Sequence, residues 1–281
     1  MLLAPPARSF YLKAMRAFLS ALALFLSAAL PAAAATPGIA ASAIELAAHH
    51  AVYDLTLGAG RGGVVGASGR MTYDVIDACS AWAVQQRLEL DVASNDGSSV
   101  HSVSDYTTWE SKDGRVLRFR LHEMTGGEVT TDLAGEAHLD RPGGAGMAVY
   151  TRPRPARVPL PAGTFFPMAQ NRAIIAAAIA GKRVIAMPLF DGTNPDGAQN
   201  STVALARWGA PYDTPWPGLK TLASGRVHIG FFDRTPAAME PSMQVGMRYF
   251  ANGVADGIAL DFGDFMLDGR LVVLDLRPAR C

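Results

Sequence analysis

No excess of either charge is present in this chain: 25 Lys and Arg stand against 25 Asp and Glu over 281 residues. That balance argues against a nucleic-acid partner and against an anionic membrane surface, both of which select a basic excess. Long apolar runs are missing beyond the N-terminal segment. The best later stretch, Ile174 to Ala180, is far shorter than the roughly 20 residues that cross a bilayer. Catalytic signatures are missing as well: there is no G-x-S-x-G elbow, H-E-x-x-H pair, P-loop or G-x-G-x-x-G. Cysteine is scarce, with only Cys79 and Cys281, and neither sits in a CxxC or zinc-ligand spacing. No cofactor or metal is therefore expected, and a non-enzymatic role is favoured. A hydrolase of envelope polymers would need an acid/base or nucleophile group that the sequence does not display.

What is present begins with an export signal. Arg8, Lys13 and Arg16 precede the uncharged apolar run Ala17 to Leu30, and Pro31 with Ala33, Ala34 and Ala35 supplies small residues for cleavage. This is the three-part layout of a secretory signal peptide. Residues 1–35 are expected to be removed, with the exported protein beginning near Thr36 in the periplasm. No cysteine follows the apolar run, so a lipoprotein anchor is not expected. Without the three basic residues of the signal, 22 basic residues stand against 25 acidic ones. Residues 36–281 are expected to form one domain with no transmembrane span, acting as a monomer.

Two cysteines in an oxidising compartment suggest one disulfide, with free thiols or an intermolecular bond as the alternatives. An intramolecular bond would close a loop long enough to be worth about 5 kcal/mol at the upper end. It would also require the two Cα atoms to lie within about 7 Å. The C-terminal tail would then have to return to the loop after an early strand.

Period-two alternation dominates the remaining sequence. Apolar Leu117, Phe119 and Leu121 alternate with Arg118 and Arg120, and Trp82, Val84, Leu88 and Leu90 share one face. Such patterns describe antiparallel strands with one packed face and one wet face. Asn95-Asp96-Gly97, Asp113-Gly114, Asp196-Gly197, Asn252-Gly253 and Asp268-Gly269 are hairpin signals. The result is a mainly β protein, an antiparallel meander with strands near 49–58, 69–76, 81–92, 98–110, 115–123, 128–139, 146–151, 184–190, 202–208, 223–233, 244–251, 254–263 and 266–276. One main helix is expected at about 168–181, where Ile174, Ile175 and Ile179 sit among alanines before Gly181. The Pro-rich stretch Arg152 to Pro167 reads as its lead-in.

Candidate site residues are few. His49 and His50 are adjacent, and neighbours on a strand point to opposite faces, so they do not suit a shared metal. The run Asp191 to Gly197 lacks the order of an EF-hand loop and reads as a turn. Ser104 to Glu110 is a dense polar and aromatic strand, better suited to cross-strand packing than to a binding groove.

Several fragments, taken in order, resemble one family. His49, Ala51, Tyr53 and Leu55, then Gly69-Arg70-Met71 and Tyr73, then Cys79 and Trp82, resemble the opening of the bacterial cell-envelope integrity protein B family. Asp105-Tyr106 with Trp109-Glu110, Pro161 to Thr164 with Phe166-Pro167, Ala180 to Lys182, and Phe190 to Gly192 continue it. Leu260 to Phe265, Gly269 and the terminal Cys281 complete it, with Phe262 where the family pattern has Tyr. The resemblance implies a long, bent antiparallel sheet curled into an open, barrel-like β-spiral with a helix. It implies a disulfide joining an early cysteine to a C-terminal one, at positions matching Cys79 and Cys281. It also implies support of the cell envelope under stress and a link to a periplasmic tetratricopeptide-repeat protein, with no established catalytic residues. Carriage of lipid or another apolar ligand is the alternative role, since a curled sheet can enclose a cavity.

Overall fold

The computed structural model describes residues 44–234 and 240–278. Eight strands run from the N-terminal side: β1 (His49–Gly60), β2 (Val64–Asp77), β3 (Ala81–Ser94), β4 (Ser99–Ser111), β5 (Val116–Thr125), β6 (Glu128–Leu139), β7 (Gly146–Arg152) and β8 (Ala156–Leu160). The helix α1 (Pro167–Ile179) follows. Six strands complete the fold: β9 (Val184–Leu189), β10 (Gln199–Pro211), β11 (Ala223–Phe232), β12 (Met243–Phe250), β13 (Ala255–Asp261) and β14 (Phe265–Leu276). All fourteen belong to one sheet in the order β8-β7-β6-β5-β4-β3-β2-β1-β14-β13-β12-β11-β10-β9.

The alternation read from the sequence is the alternation that packs. In β5, Leu117, Phe119 and Leu121 are buried while Arg118 and Arg120 are exposed. The expected strands are all present, with two corrections. β8 lies inside the Pro-rich stretch that read as a lead-in to the helix. It pairs only with β7, so Pro159, which can donate no ladder hydrogen bond, is tolerated on this edge. Asp268-Gly269 is not a turn but lies within β14, with Gly269 opposite Leu55. The chain reverses at Gly263 instead, where φ is +89°.

A flat sheet would hold β3 and β10 about 34 Å apart, seven strand spacings. Yet Trp82 and Val84 of β3 share one core cluster with Val203 and Leu205 of β10 and Val227 and Ile229 of β11. The sheet therefore curls, and α1 fills the space between its two arms with Met168, Ile174, Ile175 and Ala178. Ile179 is 59% exposed, because the helix ends there and Gly181 turns the chain away at φ +70°. The sheet stays open. Its edges approach where Phe165 bridges Leu189, and a second cluster fills this seam, with Phe190 against Phe119, Tyr150 and Phe166.

Helix α1 is held by a buried carboxylate. Pro167 at its first position has no N–H to satisfy, and the Gln170 N–H already reaches the Phe166 carbonyl at 2.8 Å. The two remaining free donors, the Met168 and Ala169 N–H groups, donate to Glu110 of β4 at 2.7 and 2.8 Å. Glu110 is 1% exposed. Burial pushes its carboxyl up to about 7, against the two backbone hydrogen bonds and nearby Arg172, which favour the ion.

Two outcomes follow from this packing. Phe190→Ala is expected to cost about 3–5 kcal/mol in urea denaturation, the usual loss for a buried phenylalanine. Glu110 binds its proton more tightly in the folded chain than unfolded, so its contribution to stability is present at acid pH. That contribution is lost as pH rises from about 4.5 through about 7. Burial shifts His49 down instead, which acts in the opposite sense near pH 6.5. The stability of wild type minus that of Glu110→Gln isolates this carboxyl, and the difference should fall as pH rises across the window.

Candidate functional site

The inner face of the curled sheet is a concave surface, and its two halves differ. At the end where β1 begins, α1 and the core clusters fill it. A cavity of about 10 Å³ remains there, against His49, Tyr73, Met168 and Asn171, which is room for about one water molecule. In the other half, side chains continuous with the core stay partly exposed. Ala67, Leu88, Val92, Met243, Val245 and Met247 pack on the buried cluster of Tyr53, Leu55, Leu90 and Leu267 without being covered. Beside them Ser104 donates to Glu123 at 3.1 Å. The hairpin tips at this end leave Val65, Val100 and Val129 exposed. This half of the inner face is mostly apolar with a polar margin.

The polar strand flagged from sequence turns out to be an anchor. Tyr106 and Glu110 face inward and Asp105 and Trp109 outward. The Tyr106 hydroxyl donates to the Asp191 carbonyl at 2.6 Å, and Glu110 holds α1. Trp109 lies under Arg118, 5.0 Å from ring centroid to guanidinium, while Asp105 pairs with Arg87 at 2.7 Å. Spacing pointed to this strand but could not reveal what it holds, because its partners are 58 to 85 residues away.

The segment Asp191 to Gly197 is a turn. The Asp191 carboxylate accepts hydrogen bonds from the Thr193 N–H at 2.9 Å and the Thr193 hydroxyl at 2.7 Å, while burial pushes its carboxyl up. Tyr150 donates to the Asn194 carbonyl at 2.6 Å. Gly192, at φ +82°, lies flat on the Phe119 ring, where a Cβ would come within 2.2 Å. These bonds turn the segment into a packed plug between the sheet edges.

The histidines do not converge. His49 is buried and bonds the Ala47 carbonyl at 2.8 Å, while His50 reaches Asp74 at 3.0 Å on the other face. His101 pairs with Asp91 and His228 with Gln244. Among the described residues no cluster of three His, Cys, Asp or Glu could hold a metal ion, and no helix is long and apolar enough to cross a membrane.

Cys79 sits in the turn between β2 and β3 at φ +64°, its N–H donating to Asp77 at 2.9 Å. Asp77 in turn pairs with Lys112 at 2.6 Å, and the Lys112 ammonium lies 4.7 Å from the Trp82 ring centroid. Cys281 lies outside the described residues. The tail leading to it runs beside β1, with the Arg277 N–H on the Ala48 carbonyl at 2.9 Å. The Arg277 guanidinium reaches Asp74 at 2.9 Å, at the end of β2 that leads into Cys79.

This architecture has known counterparts. A crystal structure titled as a beta-barrel-like protein of domain of unknown function DUF1849, from Brucella abortus, superposes with a TM-score of 0.75 at 27% identity, covering 83% of this chain and 99% of that one. The cell envelope integrity protein EipB of Brucella abortus (strain 2308) is 28% identical over 245 residues, covering 84% of this chain and 86% of its own length. The sequence profile described as EipB-like matches residues 40–278. The open, curled fourteen-stranded sheet around one helix is thus the fold of a member of the EipB-like family, and to that family this chain belongs.

Proposed function

We propose that this protein is an exported periplasmic factor that supports the integrity of the cell envelope by binding a protein partner, without catalysis of its own. The observation that carries the reading is the likeness, over most of both chains, to a relative named for envelope integrity. The layout of residues 1–35 supports cleavage and export, with residues 36–281 as the exported domain. A tetratricopeptide-repeat protein of the periplasm is the proposed partner, and the protein acts as a monomer in that complex.

In the same reading, Cys79 and Cys281 form the disulfide. The course of Arg277 past Asp74 carries the tail toward the β2–β3 turn, and no described cysteine is free. Removing the bond by Cys79→Ser is expected to lower stability by about 2–4 kcal/mol. Melting curves with and without reductant check this, and coincident curves would exclude a stabilising bond.

A second reading, carriage of an apolar ligand, is favoured by the partly exposed apolar lining of Leu88, Val92, Val245 and Met247. Periplasmic cross-linking and copurification, with proteins and lipids both identified, separates the two. A stoichiometric protein partner is the expected result, and a copurifying lipid without one would favour carriage. Deletion is expected to sensitise cells to detergents and cell-wall antibiotics. Wild-type resistance in the deletion strain would end the envelope reading.

A further inference from the structure

On most of the outer face, positive charge is neutralised within the sheet. Arg70, Arg87, Arg118, Arg120 and Arg152 each reach a carboxylate within 3.4 Å. The arm formed by β10, β11 and β12 departs from this pattern. Arg226 of β11 and Arg248 of β12 stand directly opposite one another in the ladder, an arrangement that is unfavourable for like charges. Among the described residues, neither they nor Arg207 makes an ion pair.

The local backbone places these groups deliberately. Arg207 takes φ +56°, rare for a residue with a side chain. It does so where the β10–β11 register slips between Ala206 and Gly209. A second irregularity lies across the arm, between Gly246 and Arg248 of β12, with Gly257 of β13 at φ +57°. Bulges re-aim side chains, and here they flank the arginines on both sides. The Arg226 Nη1 lies over Gly257 of β13, 3.6 Å from where a Cβ would stand. Arg226 thus reaches over β12, past Arg248.

Arg248 itself is fixed. It donates to the Ser224 hydroxyl at 3.0 Å, and its guanidinium lies 3.6 Å from the centroid of the exposed Tyr212 ring. Desolvation lowers the affinity of this guanidinium for its proton, and Arg226 and Arg207 lower it further, with Tyr212 and Asp256 opposing. Asp256 is the one carboxylate acting on the group, and its Oδ1 already accepts the Gly257 N–H at 2.7 Å. Three arginines that make no ion pair among the described residues suit the oxygens of a phosphate dianion.

We propose that Arg207, Arg226 and Arg248, with Tyr212 against Arg248, form a binding site for a phosphoryl group, borne by a soluble compound or by a lipid headgroup. The site lies on the outer face, away from the apolar inner face, and is independent of the partner and carrier readings.

The test titrates the exported chain with inorganic phosphate, following the arginine Nε–H resonances, and in parallel sediments it with phosphatidylglycerol or phosphatidylcholine vesicles. Saturable shifts at Arg226 and Arg248 are expected. Arg226→Gln, exposed and therefore benign to folding, should weaken binding about tenfold, and Arg226→Gln with Arg248→Gln should abolish it. Arg118→Gln, from a neutralised patch, should bind as wild type. Without phosphate, Arg226→Gln should melt no lower than wild type, because a like-charge pair is relieved. Phosphate binding without recruitment to phosphatidylglycerol assigns a soluble ligand, and recruitment to phosphatidylglycerol alone of the two vesicles assigns a lipid headgroup. Neither phosphate nor phosphatidylglycerol engaging the wild type, or Arg226→Gln binding both unchanged, would overturn the site.

Discussion

A carboxylate taken out of water must be satisfied by protein, and Glu110 is satisfied by the only two free donors at the start of α1. The bond pair ties the C-terminal end of β4 to the helix, and the helix ties β2 and β3 to β10 and β11. Without α1 between the arms, Trp82, Val84, Val203 and Ile229 would have no common core, and the curl of the sheet would lose its filling. Pro167 has a part in this: by contributing no N–H, it leaves two donors for two carboxylate oxygens. Tyr106 and Tyr150 extend the same logic to the edges, where their hydroxyls hold the Asp191 to Gly197 segment by its carbonyls.

How much of this could be read from sequence depends on the range over which each signal acts. Period-two burial is local, so the strands and the helix were legible, with β6 recovered to its ends. β8 was hidden because its Arg and Pro residues describe an edge, and edge status is a property of the assembled sheet. Asp268-Gly269 misled because its glycine serves a close approach to Leu55 on the neighbouring β1 rather than a turn. The anchoring role of Glu110 had a local trace, a carboxylate among aromatics on a half-buried strand, but its partners lie beyond any spacing rule. The arginines of the β10–β12 arm left no trace, since three different strands supply them and only register brings two of them opposite.

The two faces of the sheet follow different rules. Inside, the fixed polar groups are Glu110, Tyr106 and Tyr150, with a margin near Ser104 and Glu123, while the buried Trp82 indole N–H has no hydrogen-bond partner among the described residues. Outside, carboxylates and arginines pair along cross-strand rows and neutralise one another, so most of the curved surface is not a uniform electrostatic target. Departures from these rules therefore stand out: uncovered apolar side chains within, unneutralised arginines without.

The pairing of β1 with β14 has a kinetic meaning. Every other neighbour in the sheet is also a neighbour in sequence, so two long meanders, β1 to β8 and β9 to β14, can zip by short loop closures. Among the strand pairings, only the central seam joins residues more than 200 positions apart. Local pairings form fast and distant ones slowly, so joining this seam is the step expected to limit folding. Until it forms, β1 presents an unpaired edge with apolar neighbours. A chain made N-terminus first would hold that edge open until its last strand emerged, and the interval is one in which a holding chaperone would matter.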